Sequence, residues 1–160
     1  MNIQRQLHVL LVEDNPGDVR LTEEAFKELD SPNTLCVLQD GVEAVLYLKR
    51  QGKYKNAVRP DLILLDLHLP RKTGLETLAE IKNDPALRAI PVIMLTTSEE
   101  KEDVLKAYDL QVNGYINKPL DMGQYIDTIR QIISFWSTNT NLPPEGITNE
   151  ERRSNEYTAD

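Results

Sequence analysis

Five short strand-like runs, at 7–12, 35–38, 62–66, 91–95 and 113–116, alternate with segments of helical spacing at 17–29, 41–51, 74–83, 100–110 and 121–136. Runs this short and this apolar fit strands covered on both faces. Strands separated by helices pair in parallel, because a parallel pair needs a long crossover. The pattern therefore predicts an α/β fold, a doubly wound five-stranded parallel sheet of (β/α)5 type, with right-handed crossovers that lay helices on both faces. Asp40-Gly41 is a start signal for the second helix, and Pro91 immediately precedes the fourth strand. The polar connection from Gly52 to Pro60 is longer than such a fold requires. From Ser137 onward Ser, Thr, Asn, Glu and Pro143-Pro144 dominate, so the expected organisation is one domain over 1–136 and a polar tail over 137–160, loose or wrapped on the surface.

A chain of 160 residues suits a single packed core. The formal charge of −8 opposes nonspecific attraction to nucleic acid phosphates or anionic lipid. The sole cysteine, Cys36, lies beside Leu35, Val37 and Leu38 and reads as inert core. No stretch is long and apolar enough for a membrane span, and Met1 to Gln6 lacks the apolar region of a signal peptide, so a cytoplasmic protein is expected.

The chemistry concentrates where the strands end. Leu62-Ile63-Leu64-Leu65 runs into Asp66, and Val9-Leu10-Leu11-Val12 into Glu13-Asp14; the fourth run ends at Thr96-Thr97, and Lys118 follows the fifth. In an open parallel sheet these ends share one edge, which is where such sheets bind ligands. Grouped carboxylates repel one another and take up protons unless a cation neutralises them. Oxygen-only donors suit a hard divalent ion, so Mg2+ is the expected cofactor, held beside a phosphoryl group. Asp66 would then be a nucleophile forming an acyl phosphate, with Lys118 as a point charge and Thr96 as a hydroxyl donor on the phosphoryl oxygens.

With these residues the chain resembles the receiver domains of two-component response regulators, over about residues 7–136. The acidic pair of that family falls on Glu13-Asp14, its phosphoacceptor on Asp66 in LLDLHLP, its switch hydroxyl on Thr96 in MLTTS and its lysine on Lys118 in NKP. The resemblance implies the flavodoxin-like receiver fold and a metal held by Glu13, Asp14, Asp66 and the backbone carbonyl of His68. It further implies a cis Lys118-Pro119 bond, a turn glycine at Gly74, and a switch in which Tyr115 changes rotamer together with Thr96. The strings VEDNPGDVRLTEEAF, QGKYKNAVRPDLILLDLHLP and TTSEEKEDVLKAYDL, with the late Phe135-Trp136, are similar to the phytochrome-associated regulators of cyanobacteria. The implied partners are a histidine kinase of phytochrome type, which would supply the phosphoryl group, and a second copy of the chain in a dimer near the fourth and fifth helices and the fifth strand.

Taken alone, Thr96 is an ordinary strand residue, Lys118 a solvated cation and Tyr115 a core aromatic; their weight comes from the set. A side-chain metal role for His68 has no His or Cys partner to support it. Met122, Tyr125, Ile126, Ile129, Ile132, Ile133 and Trp136 follow helical spacing and read as a core stripe, with Phe135 off it as a partner surface or a site covered by the tail. Two alternatives stay open: a receiver-like module that binds partners without phosphorylation, and an Mg2+-dependent phosphatase of haloacid dehalogenase type. The latter expects a second acid where His68 stands. A dinucleotide-binding domain is disfavoured, because Glu13-Asp14-Asn15-Pro16-Gly17 puts acids where a pyrophosphate needs backbone donors. The expected role is that of a stoichiometric phosphoacceptor, with possible autodephosphorylation, and not an enzyme.

Overall fold

The computed structural model describes residues 5–30, 32–138 and 140–143. Five strands, β1 (His8–Val12), β2 (Thr34–Leu38), β3 (Leu62–Leu65), β4 (Val92–Thr96) and β5 (Gly114–Asn117), alternate with α1 (Pro16–Lys27), α2 (Gly41–Leu48), α3 (Gly74–Asn83), α4 (Lys101–Asp109) and α5 (Met122–Thr138). All pairings are parallel and the order is β2-β1-β3-β4-β5. The expected doubly wound α/β fold is therefore the observed one, with its topological switch point between β1 and β3. The register pairs Val12 with both Leu38 and Leu65, and Thr96 with Asn117, so the strands finish at nearly one level.

Alternate strand residues feed two cores. Leu10, Val12, Ile63, Leu65 and Met94 pack with Ala44, Leu48, Leu78, Ile81 and Ala107 on the α2–α3–α4 side. Val9, Leu11, Leu62, Leu64 and Leu95 pack with Ala25, Tyr125, Ile129 and Ile133 on the α1–α5 side. Because both faces are buried, these strands lack the polar alternation of a half-exposed sheet. Fully burying one such side chain contributes about 1.5–3 kcal/mol.

The helix starts are written locally. Asn15 caps α1 by accepting from the N–H groups of Gly17 and Asp18, with Pro16 just inside. Asp40 caps α2 through Glu43 N–H, and Thr73 and Glu76 form a reciprocal capping box on α3. The long connection after α2 is not slack. It forms a short 3-10 turn at Gly52–Tyr54, stacks Tyr54 edge-on against Tyr47 with ring centroids 5.4 Å apart, and lets the Tyr54 hydroxyl donate to Glu43.

Met122 departs from the expected core stripe, while the other readings hold in part. Met122, the first residue of α5, stands 68% exposed on the wall of a groove, and burial on this helix begins at Tyr125. Trp136, at the other end of that helix, is half-buried and packs against the α1–α5 core as the stripe implies, and Phe135, off the stripe, is exposed and meets the Trp136 ring edge-on. Cys36 is half-buried and packs against the α2–α3–α4 core, since β2 is an edge strand. Of the tail, Thr140 accepts from Arg5 and Leu142 packs against the α1–α5 core; the expectation for 144–160 lies outside the described residues. No helix among the described residues is long and apolar enough to cross a membrane.

Gly74 opens α3 directly against the segment after β3. A Cβ there would overlap the Asp66 carbonyl oxygen and lie 2.7 Å from Leu67 Cα, and both are backbone atoms that cannot swing aside. Gly74→Ala is expected to lower stability by about 1–3 kcal/mol, as overpacking does. Urea unfolding followed by circular dichroism measures it, and an unchanged midpoint would contradict the packing.

Candidate phosphoacceptor and metal site

Glu13, Asp66 and Lys118 each sit one step past a strand, fixed by a bond that prolongs the ladder, while Thr96 is the last residue of β4. Glu13 N–H donates to Leu38 O at 2.9 Å, Asp66 N–H to Val12 O at 3.1 Å, and Lys118 N–H to Thr96 O at 2.8 Å. The apolar runs thus push the carboxylates out to the edge of the sheet without letting their backbones go free. Gly74 N–H donates to Leu67 O at 2.9 Å and closes the loop behind Asp66.

The Lys118 ammonium sits at the centre. It donates to Glu13 Oε2 at 2.6 Å, Asp18 Oδ2 at 2.8 Å and Asp66 Oδ2 at 2.9 Å. Its side chain is 5% exposed. Burial alone would lower its pKa, but the hydrogen bonds it donates to Asp18, Glu13 and Asp66 outweigh that and hold it above the ordinary lysine range. Glu13 is buried too, and burial pushes its carboxyl up to about 7 despite the lowering pull of Lys118, with the Asp66 charge adding to the rise. Its other oxygen accepts Asn15 N–H at 3.0 Å.

Glu13, Asp14 and Asp66 each offer a carboxylate oxygen within 4.8 Å of the others, with Asp14 exposed and the other two buried. This donor set fits a hard divalent cation: it is all oxygen, it has an open side at Asp14, and burial, with the Asp66 charge, disfavours the bare charge of Glu13, which a cation would offset. His68 lies beside it with its side chain in solvent and its N–H directed at Asp66 Oδ1 at 3.4 Å. No imidazole partner for an ion stands there.

The cis bond expected at Lys118-Pro119 is not found, since no cis peptide occurs among the described residues. Trans is the ordinary preference of such a bond, by about 0.5–1 kcal/mol. Lys118 needs no exceptional turn, because the bond to Thr96 O already places its backbone at the edge and the long stem spans the rest.

Thr96 is fully buried, and its hydroxyl oxygen accepts Ser98 N–H at 3.3 Å. The Tyr115 hydroxyl donates to Ser98 O at 2.9 Å, and Asn117 Nδ2 donates to the same oxygen at 2.8 Å. The two expected switch residues therefore grip one residue of the β4–α4 loop from either side. Sequence reasoning missed Ser98, whose position in TTS carries no chemical signal. It also missed Asp18, an acid in the first turn of α1 that reads as an ordinary helix-dipole partner until the fold brings Lys118 to it.

A fold of order 2-1-3-4-5 with an acid triad and a buried lysine at the carboxyl edge defines a phosphoacceptor module of the receiver class. The response regulator receiver domain family matches residues 9–130, and the chain belongs to that family. It is 45% identical over 135 residues to the response regulator Rcp1 of Synechocystis sp. (strain ATCC 27184 / PCC 6803 / Kazusa), covering 84% of this chain and 92% of that protein. Among solved structures, the phosphorylated cyanobacterial phytochrome response regulator RcpA matches with a TM-score of 0.85 at 46% identity, over 88% of this chain and 100% of that one. The Mn(2+)-bound form of Rcp1 matches with a TM-score of 0.82 at 44% identity, over 86% and 99% respectively.

The Glu13 shift has a direct consequence for the metal-free protein. The folded chain keeps a proton on Glu13 up to about pH 7, whereas the unfolded chain releases it near 4.5. This contribution to stability is complete below the lower value and is lost as pH rises through the upper one. Urea midpoints measured in chelator should fall across that window, and less steeply in Glu13→Gln; parallel slopes would show that Glu13 is not the group titrating.

Proposed function

We propose that this receiver accepts a phosphoryl group on Asp66 from the phosphohistidine of a partner kinase. A single observation carries the reading: Lys118, Glu13 and Asp66 meet within hydrogen-bonding distance across the sheet edge, with Asp14 alongside. An Asp66 oxygen attacks phosphorus, the phosphorus–nitrogen bond of the donor breaks, and the leaving imidazole takes up a proton. Glu13, Asp14, Asp66 and the His68 carbonyl would hold Mg2+. When bound, that ion supplies neutralising charge for an anionic donor approaching anionic ligands. Lys118 holds a phosphoryl oxygen as a point charge, and the buried Thr96 hydroxyl turns from the Ser98 N–H to another. Because Tyr115 and Asn117 hold the carbonyl of the same Ser98, movement of Thr96 alters what Tyr115 bonds to.

The chain acts stoichiometrically, carrying one phosphoryl group until water removes it, and not as an enzyme. The domain comprises 1–136, with 137–160 as an appended tail, and it works in the cytoplasm with neither nucleic acid nor membrane as a direct partner. Likeness to the phytochrome response regulator RcpA supports a phytochrome-type histidine kinase as the donor. Incubation with Mg2+ and acetyl phosphate is expected to add one phosphoryl group by intact mass, and Asp66→Asn is expected to add none. No Mg2+-dependent gain, or an undiminished gain in the variant, would overturn the reading.

Output runs through a homodimer near α4, β5 and α5, where Leu105 and Tyr108 are exposed on α4 and Phe135 on α5. Light scattering with and without phosphodonor is expected to show a dimer, weakened at least tenfold by Leu105→Glu. A monomer under both conditions would remove the proposed output surface.

A further inference from the structure

Lys118 has three ammonium hydrogens and three carboxylate partners, so none is spare for a phosphoryl oxygen. Two of the partners, Glu13 and Asp66, belong to the carboxylate set that fits a cation; Asp18 does not. Asp18 also differs in position. Its side chain is 23% exposed, against 1% for Glu13 and 9% for Asp66, and it lines a groove of about 740 Å³ together with Lys118, Asn15, Thr97, Pro119 and Leu120. Asp18 and Lys118 both line this groove and Glu13, Asp14 and Asp66 do not, so Asp18 holds the ammonium from the groove side. Its backbone is not free to drift, because Asn15 Oδ1 accepts its N–H at 3.1 Å and Thr22 Oγ1 donates to its carbonyl at 2.9 Å.

We propose that Asp18 is a positioning residue that acts as a brake on phosphoryl transfer: it keeps hold of Lys118 and competes with the incoming phosphoryl oxygen for the ammonium. The inference rests on the reading of Asp66 as the acceptor. Charge makes the competition directional. Glu13, Asp14, Asp18 and Asp66 face one ammonium, and a cation bound by the other three leaves the Asp18 charge to act on Lys118 alone. A dianionic group arriving at Asp66 is repelled by Asp18 and must also displace it. In the resting protein the same negative charge helps cation uptake, by attracting the ion and by giving the ammonium a partner outside the cation-binding set. One substitution should therefore move two quantities in opposite directions.

The test is Asp18→Asn, which keeps shape and removes charge. At saturating Mg2+ its phosphorylation by the dianion acetyl phosphate is expected to be roughly three- to tenfold faster, an effect of partly screened charges a few ångströms apart. Zwitterionic phosphoramidate, which carries less net negative charge, should gain less. Calorimetric titration with Mg2+ alone should show binding roughly three- to tenfold weaker, because the ammonium then competes fully for Glu13 and Asp66. Asp18→Glu should return both quantities toward the parent values. A rate that is unchanged or lower, an equal gain with both donors, or tighter Mg2+ binding would overturn the brake while leaving Asp66 as acceptor. A variant that is merely misfolded lowers both rate and affinity and counts against it as well. A parent protein that never gains a phosphoryl group overturns the acceptor reading, and this inference with it.

Discussion

One buried ammonium holds the functional edge of this protein together. Lys118 reaches from the end of β5 to acids that follow β1 and β3 and to an acid in the first turn of α1. Without it, Glu13 and Asp66 would be two nearly dry carboxylates facing each other, an arrangement whose desolvation and repulsion favour protonation over charge. Even with it, burial keeps the Glu13 carboxyl pushed up to about 7. A cation beside Glu13, Asp14 and Asp66 would offset that cost of burying charge.

The sheet supplies the geometry for this electrostatic arrangement. A parallel register that brings Val12, Leu38 and Leu65 to one level also brings the next residues, Glu13 and Asp66, out of the core together. Their N–H groups stay bonded to the neighbouring strand, so the acids are presented on a rigid frame and not on loops. On the β4–β5 side the same device places Lys118, while Ser98 ties Thr96, Tyr115 and Asn117 into one small network. Acceptor and switch thus share the sheet edge, and a change of charge at Asp66 has a short path to the surface of α4 and β5.

Much of this was legible in the chain, and for identifiable reasons. Apolar runs with helices between them specify a parallel sheet, because no other arrangement buries both faces of such strands. Glu13, Asp14, Asp66 and Lys118 could be read because each lies within two residues of the end of an apolar run. Less could be read at an element's end: Met122 shares the helical spacing of Ile129 and Ile133, yet as the first residue of α5 it stands exposed. Cys36 sits in an equally apolar run, but β2 lies at the sheet's edge, and position within a sheet is not encoded in strand composition.

The sequence by itself determined the element order, the helix caps at Asn15, Asp40 and Thr73, the burial of the strands and the identity of the acids at their ends. Those properties depend on residues close together in the chain. Only the tertiary structure decided that Asp18 is a third partner of Lys118 across 100 residues, that Ser98 is the point shared by Thr96 and Tyr115, and that the trans Lys118-Pro119 bond suffices. These depend on distances between elements that meet only after the helices have packed, and at ranges of a few ångströms a hydrogen bond either forms or does not.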